Sequence, residues 1–251
     1  MKTDVVQGLP YSELRAFHGD AAVKAEPLER LKAWKDAGEI RLDRYGYNAS
    51  QYTLNQLWEY TYLQPYGIKL GISPHLAAVE NMICKNLPKD EAAEFAVDFL
   101  EQIAISAQSA YVFPRLAVWM IQNSSFGLDP MVIHAPSAQI VRELATVCEQ
   151  LESLSGEELY QRLENIKTNA EHCEDYHSHE ARDAPSDYKA CRASSSAISL
   201  CQLMQSIENL EDSPAFLYKM HKYAEQYPGW VGAVRDKLLE LLAAAPVPEK
   251  A

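Results

Sequence analysis

The sequence predicts an all-α fold, a multi-helix bundle interrupted by one irregular tyrosine-rich insertion near residues 39–66. Apolar residues recur every three or four positions along most of the 251 residues, which is the period of an amphipathic helix. Pairs that favour helix starts, Ser or Asp before Pro, separate several of these periodic segments. A chain of this length with 47% apolar residues can bury a sizeable core, so we expect the helices to pack on one another.

Two helices are predicted before residue 90. Asp20 can cap a short turn, and Pro27 then begins a helix that Gly38 ends. Ser73 and Pro74 form a strong start for the second helix. The residues expected on the buried faces of these helices are Leu28, Leu31, Trp34, Leu76, Val79 and Ile83.

Four further helices are predicted in the middle of the chain. Pro88 separates the second helix from a third, and Pro114 opens a fourth. Ser137 begins a long amphipathic helix, and Ser155 with Glu158 forms a capping box before the next one. The apolar positions at helical spacing in these segments are Phe95, Phe99, Leu100, Ile103, Leu116, Trp119, Met120, Ile140, Val141, Leu144, Val147, Cys148, Leu151, Leu159, Leu163 and Ile166.

The last quarter of the chain continues the helical pattern. Ser186 and Ser213 mark two helix starts, and the YPG sequence at 227–229 breaks the second of these helices. A final helix should follow, with one apolar face formed by Val231, Val234, Leu238 and Leu241. The ending APVPEKA, residues 245–251, is expected to be a frayed tail.

The insertion at residues 39–66 is rich in tyrosine and tryptophan. Two short strands or an ordered loop fit residues 39–47, and a short helix fits residues 54–60. The aromatic residues concerned are Tyr45, Tyr47, Tyr52, Trp58, Tyr60, Tyr62 and Tyr66. Because they cannot all lie in a central core, they form either an exposed contact surface or a lid over the bundle.

A change of composition near residues 150–156 suggests a boundary between two helical regions. We predict an N-terminal region, 1–152, which includes the aromatic insertion, and a C-terminal region, 153–251. The segment between them is too short to be a free linker. The two regions should therefore pack together, or form one single domain.

Charge and composition narrow the class of protein. A formal net charge of −12 argues against binding to nucleic-acid phosphates, which needs clustered Lys and Arg. The amino-terminal sequence lacks the apolar core of a secretory signal, and the longest apolar stretch, residues 111–121, is too short to span a membrane. Five irregularly spaced cysteines without a CxxC pair indicate reduced thiols. We therefore expect a cytoplasmic protein.

Residues 171–183, EHCEDYHSHEARD, contain three histidines, one cysteine and five acidic residues. Metal ligands on a helix are expected three or four residues apart, which fits His172 with Asp175 and Asp175 with His179. His177 and His179 fit an extended segment instead. These four residues define one hypothesis, a site for a divalent transition metal. The pattern favours the other hypothesis, a plain polar surface without a cofactor at a solvated helix end or in a turn between two helices.

Residues 17–40, FHGDAAVKAEPLERLKAWKDAGEI, and residues 70–128, which begin LGISPHLAAVENMICKNLP, resemble a family of uncharacterised helical proteins of phages, prophages and bacterial genomes. The shared features are an FxG…K…L opening, a segment similar to LGIPxxLAxLExxIFxxLP, and a following FLExI…PRxAxWLL…GV pattern. The resemblance covers about residues 15–128, and RDKLLELL at 235–242 is also similar. The chain departs from the family where tyrosines replace a loop that often contains Gly and Cys. The resemblance implies a mobile-element setting and carries no activity or catalytic residue.

These observations predict a non-catalytic, protein-binding protein of inhibitor, immunity or anti-defence type. Common catalytic signatures are missing, including the P-loop, GxGxxG, GxSxG and HExxH motifs. Residues 149–183 hold ten acidic against three basic residues, which favours a basic protein partner. The residues predicted to contact that partner are Tyr45, Tyr47, Tyr52, Trp58, Tyr62, Glu171, Glu174 and Asp175.

Two alternatives stay open. The first is a metal-dependent hydrolase in which the cluster at 172–183 holds a metal ion that activates water. The second is an acidic mimic of nucleic acid that occupies the basic groove of a DNA-binding protein.

Overall fold

A computed structural model describes residues 14–39, 66–123, 135–150, 153–180 and 229–248, and this part of the chain is all-α, as predicted. Its helices are α1 (Ala21–Ala37), α2 (Pro74–Asn86), α3 (Lys89–Gln102), α4 (Val112–Gln122), α5 (Ala135–Glu149), α6 (Gly156–Glu180) and α7 (Trp230–Ala243). Shorter turns lie at Ala16–Gly19, Tyr66–Leu70 and Ser109–Tyr111. None of the helices in these ranges is both long and apolar enough to cross a membrane.

Much of the predicted aromatic insertion, residues 40–65, lies outside the described residues. The helices predicted to begin at Ser186 and Ser213 lie outside them as well.

The chain divides into two compact units. Unit 1 comprises Met1–Phe113 together with Met220–Ala251, and unit 2 comprises Pro114–Lys219. Within unit 1, α3 packs against α1, α2 and α7, so α3 is its central helix. Within unit 2, α5 packs against α6. The boundary predicted from the sequence, between residues 152 and 153, lies inside unit 2 and stays a prediction.

Helix α1 begins earlier than predicted. The Asp20 side chain accepts a hydrogen bond from the Ala22 N–H at 2.8 Å, so Asp20 caps the helix itself. Pro27 lies inside the helix, and the prediction that it begins the helix is wrong. Its ring is buried beside Leu31 on the face that packs in unit 1. Gly38 ends the helix with a φ of 68°, a left-handed conformation that glycine adopts without strain, as predicted.

The core of unit 1 follows the predicted apolar stripes of α2 and α3, whereas in α1 Leu31 is buried but Leu28 and Trp34 are half-buried. Leu76, Val79 and Ile83 of α2 are fully buried. Helix α3 buries Ala92, Ala93, Phe95, Ala96, Val97, Phe99 and Leu100. The rings of Phe95 and Phe99 meet edge to face, with 6.2 Å between their centroids.

Helix α7 and the segment after it differ from the prediction. The buried residues are Trp230, Val234, Leu238 and Leu242, four apart, whereas Val231 and Leu241 are half-buried. The expectation of a frayed tail is wrong as far as residue 248. Ala245 is buried, and the Gln108 N–H donates to the Pro246 carbonyl at 2.8 Å. These contacts anchor the tail to unit 1.

Unit 2 contains the longest helix of the described residues, α6, which has 25 residues. Its start is the predicted capping box. The Ser155 N–H donates to Glu158 Oε2 at 3.1 Å, and the Glu158 N–H donates to Ser155 Oγ at 3.3 Å. Leu163, Ile166 and Ala170 are buried. Trp119 and Met120 of α4, predicted to be buried, are half-buried.

The His-rich segment is helical in the structure. Residues 171–180 form the last turns of helix α6, so the segment is a helix end, and the prediction of a turn there is wrong. The sequence contains neither Pro nor Gly between Glu157 and Glu180. Nothing in the local backbone therefore interrupts the helix that the capping box starts.

Candidate functional site

The predicted partner-contact residues fall into two groups. Tyr45, Tyr47, Tyr52, Trp58 and Tyr62 lie outside the described residues. Glu171, Glu174 and Asp175 all lie on α6. Because residues three and four apart share one side of a helix, the backbone places these three positions on the same side.

The N-terminal half of α6 continues this acidic side. Glu157, Tyr160, Glu164, Lys167 and Glu171 follow one another at intervals of three and four, so they form one face, called here the acidic face. Tyr160 is 51% exposed, which is unusual for so large a side chain. Sequence reasoning missed Tyr160, although its spacing from the acidic residues could have revealed it.

Lys167 lies among the carboxylates of the acidic face. Its Nζ donates to Glu164 Oε1 at 3.3 Å. Burial acts to lower the pKa of Lys167, but the hydrogen bond to Glu164, with the charges of Glu164 and Glu171, outweighs it and raises the pKa. The lysine therefore stays charged and neutralises one of its neighbours. Over its whole length α6 has seven acidic residues against Arg162 and Lys167.

The predicted metal ligands are also on α6. His172 is exposed, and positions 172, 175 and 179 lie along one side of the helical backbone. Position 177 lies on a different side, because it is five residues from 172. Among the described residues, no group of three or more His, Cys, Asp and Glu could hold a metal ion. The side chains of residues 174–180 lie outside the described part of the chain, so the metal hypothesis stays a prediction that elemental analysis of tag-free protein would decide.

A second notable region lies in unit 1, where two loops meet. Phe17, His18 and Ser106 have φ angles of 55°, 51° and 68°, and they are the only non-glycine residues with positive φ in the described ranges. The two loops are joined by backbone hydrogen bonds. The Ala16 N–H donates to the Ala107 carbonyl at 2.9 Å, and the Ser106 N–H donates to the Ala16 carbonyl at 3.0 Å.

Small and polar residues lie beside these loops. A Cβ at Gly71 would collide with the Arg15 carbonyl, so only glycine permits this close approach. The Ser73 N–H donates to Ser109 Oγ at 3.4 Å, and both serines are buried. Ser73 precedes α2 as predicted, but its hydroxyl does not cap the helix. Within the described part of the chain, Ser73 Oγ has no hydrogen-bond partner.

Helix α2 also buries a carboxylate that sequence reasoning did not place in the core. Glu80 is fully buried, and the Cys84 thiol donates to its Oε1 at 3.2 Å. His75 is buried one turn earlier, with its ring 5.1 Å from that of Phe113. The signal was present in the sequence, since Glu80 follows Leu76 by four residues within the apolar stripe.

Lys24 connects the loops to the end of α3. Its Nζ donates to the carbonyls of Glu101 at 2.9 Å and Ile103 at 2.6 Å, where a helix C-terminus favours positive charge. It also lies 5.3 Å from the centre of the Phe17 ring. Burial lowers the pKa of Lys24, and the charge of Glu101 opposes that shift.

Comparison with known proteins adds no family to these observations. No family model, curated protein or solved structure matches the chain.

Proposed function

We propose that the chain is a non-catalytic protein-binding protein, of inhibitor, immunity or anti-defence type, that binds a basic protein partner through the acidic face of α6. The observation that carries the proposal is the combination of Tyr160, 51% exposed, with Glu157, Glu164 and Glu171 on one face of a long helix. The resemblance to a family of phage and prophage proteins supports a mobile-element setting for this function.

The shape of the acidic face suits binding. A helix of 25 residues spans about 38 Å at 1.5 Å per residue, which is long enough for a standard protein interface. Tyrosine is enriched among the residues that dominate binding energy, because its ring gives a large contact area at a small entropic cost. Tyr160 would therefore be the anchor of the interface.

The charge of the acidic face suits a basic partner. Carboxylates at the rim of an interface accelerate encounter with an oppositely charged surface and add little to the final affinity. Salt should therefore slow association and affect dissociation less. The aromatic residues at 45–62 lie outside the described residues and stay a separate candidate for partner contact.

The experiment compares two triple variants in capture from a lysate of the source organism. The test variant is Glu157→Gln, Glu164→Gln and Glu171→Gln, and the control is Glu26→Gln, Glu29→Gln and Asp36→Asn on α1. The control changes the net charge by the same amount at exposed positions of another helix. A basic partner that the control retains and the test variant loses would support the proposal.

A direct measurement then isolates Tyr160. Replacing Tyr160 with Ala should weaken binding of the captured partner by about tenfold or more, as expected for an anchoring side chain. Circular dichroism should show that α6 stays folded, because the side chain is mainly exposed. If the test variant and Tyr160→Ala bind every captured protein as well as the wild type does, the acidic face is not the site.

A further inference from the structure

We propose that residues 15–19 form a strained clasp, which closes one end of unit 1 and opens before the surrounding helices unfold. The clasp lies within unit 1, and its opening is independent of the function proposed for α6. The strained backbone among the described residues is concentrated in this clasp and in the loop that it contacts.

In the described ranges, the non-glycine residues with positive φ lie in the clasp and its contact loop. Phe17 and His18 are consecutive left-handed residues, and Ser106 in the facing loop is left-handed as well. For residues with a Cβ, a left-handed helical conformation is disfavoured by roughly 5- to 30-fold relative to the right-handed one. Strained residues persist only where their surroundings hold them, and they are concentrated at clamps and switches.

Backbone hydrogen bonds and a buried aromatic ring are among the interactions that hold the clasp closed. Two backbone hydrogen bonds join Ala16 to residues 106 and 107. The Phe17 ring is fully buried, with Lys24 above it. His18 is exposed. The strain of the left-handed residues acts against these interactions.

Opening the clasp would uncover polar groups that are sealed in the closed form. The Arg15 carbonyl lies directly on Gly71, two residues before Ser73. Ser73 and Ser109 are 2% and 0% exposed. Ser109 Oγ accepts from the Ser73 N–H and donates to the Gly71 carbonyl, whereas Ser73 Oγ has no hydrogen-bond partner among the described residues. When the clasp opens, water can form the hydrogen bonds that Ser73 Oγ lacks in the closed form. The clasp is thus a gate over the start of α2.

Hydrogen exchange of the full chain tests the first part of this proposal. The reporter is the Ala16 amide, which is buried and donates to Ala107, and the reference is the Phe99 amide at the centre of α3. We expect Ala16 to exchange at least tenfold faster than Phe99 after correction for intrinsic rates, because local opening requires less free energy than global unfolding. Equal protection of the two amides would overturn the proposal.

Matched substitutions test whether strain drives the opening. At positions 18 and 106, a glycine variant removes the strain of the Cβ, and an alanine variant removes the rest of the side chain but keeps that strain. Glycine also adds flexibility to the open state, and the exchange rates are corrected for this effect first. The Ala16 amide should then exchange roughly two- to fivefold more slowly in each glycine variant than in the alanine variant at the same position. Identical exchange in both pairs would show that backbone strain does not drive the opening.

A third pair of variants separates the clasp from general destabilisation. Gly19→Ala adds a Cβ at φ 76°, close to Ser106 Oγ, and should speed Ala16 exchange. Gly38→Ala adds the same kind of strain at φ 68° in open space at the end of α1, and should leave the ratio of Ala16 to Phe99 exchange unchanged. An equal change of that ratio in both variants would contradict a local clasp. If Gly19→Ala does not fold, the glycine and alanine pairs still decide the question.

Discussion

Helices α3 and α6 are stabilised in different ways. Helix α3 has 14 residues, half of them buried, and packs against three other helices of unit 1. Helix α6 has 25 residues, and among its residues 157–173 only Leu163, Ile166 and Ala170 are buried. Its stability must come in larger part from local interactions, such as the capping box and the pair of Glu164 with Lys167. A helix with so much exposed side remains available to bind a partner.

The largest expected effect tests the packing of α3. Replacing Phe99 with Ala removes a fully buried ring and should lower the free energy of unfolding by about 3–5 kcal/mol. Urea denaturation would measure the change. Tyr160→Ala on α6 is the matched aromatic control and should change stability by less than about 0.5 kcal/mol, because its ring is largely exposed. Similar losses at the two positions would remove the contrast between the helices.

A smaller effect tests the local stabilisation of α6. Ser155→Ala removes the hydroxyl that accepts from the Glu158 N–H and should cost about 1 kcal/mol. The loss should appear as a lower midpoint in urea unfolding followed by circular dichroism. Ser155→Asp is the control, because aspartate is an equally good cap and should keep most of the stability. A loss as large in Ser155→Asp would mean that capping is not what Ser155 contributes.

The sequence predicted best those features that depend on neighbouring residues. The capping box of Ser155 and Glu158, the helix end at Gly38 and the apolar stripe of α3 involve residues within a few positions of one another. Local rules suffice for such features because the interacting groups are adjacent in the chain.

Other features depend on contacts between distant segments. The left-handed Phe17 and His18 are held by residues 106 and 107, about ninety positions away. Pro27 is tolerated inside α1 on a buried face, and Glu80 is buried among helices. No short window of sequence contains the partners of these residues, so propensity alone gave the wrong start for α1 and did not indicate the clasp. Of the acidic face on α6, the sequence had singled out Glu171 and had missed Glu157, Tyr160 and Glu164, and the partner contact itself stays a prediction.

The smallest expected effect concerns the exposed side of α3, where Asp98 is half-buried between Glu94 and Glu101. Burial raises the pKa of Asp98, the two carboxylates raise it further, and Lys35 and Arg235 compensate only in part. Because the folded form binds this proton more tightly than the unfolded form does, the stabilising contribution is complete below the ordinary pKa of 3.8 and is lost as the pH rises through the folded pKa. Asp98→Asn should therefore raise the free energy of unfolding at pH 7, by less than about 1 kcal/mol because the site is largely hydrated.

The pH dependence of the stability gained in Asp98→Asn tests whether the raised pKa of Asp98 is its cause. The difference between Asp98→Asn and the wild type should vanish below pH 3.8 in urea titrations at a series of pH values. Glu101→Gln is the control of opposite sign. Its hydrogen bond with Lys32, together with the charge of Lys32, lowers the pKa of Glu101, so the stabilising contribution is present above the ordinary pKa of 4.5 and is lost as the pH falls through the folded pKa. If both variants shift stability in the same direction at pH 7, the charges along α3 do not act as the structure indicates, and packing alone would distinguish α3 from α6.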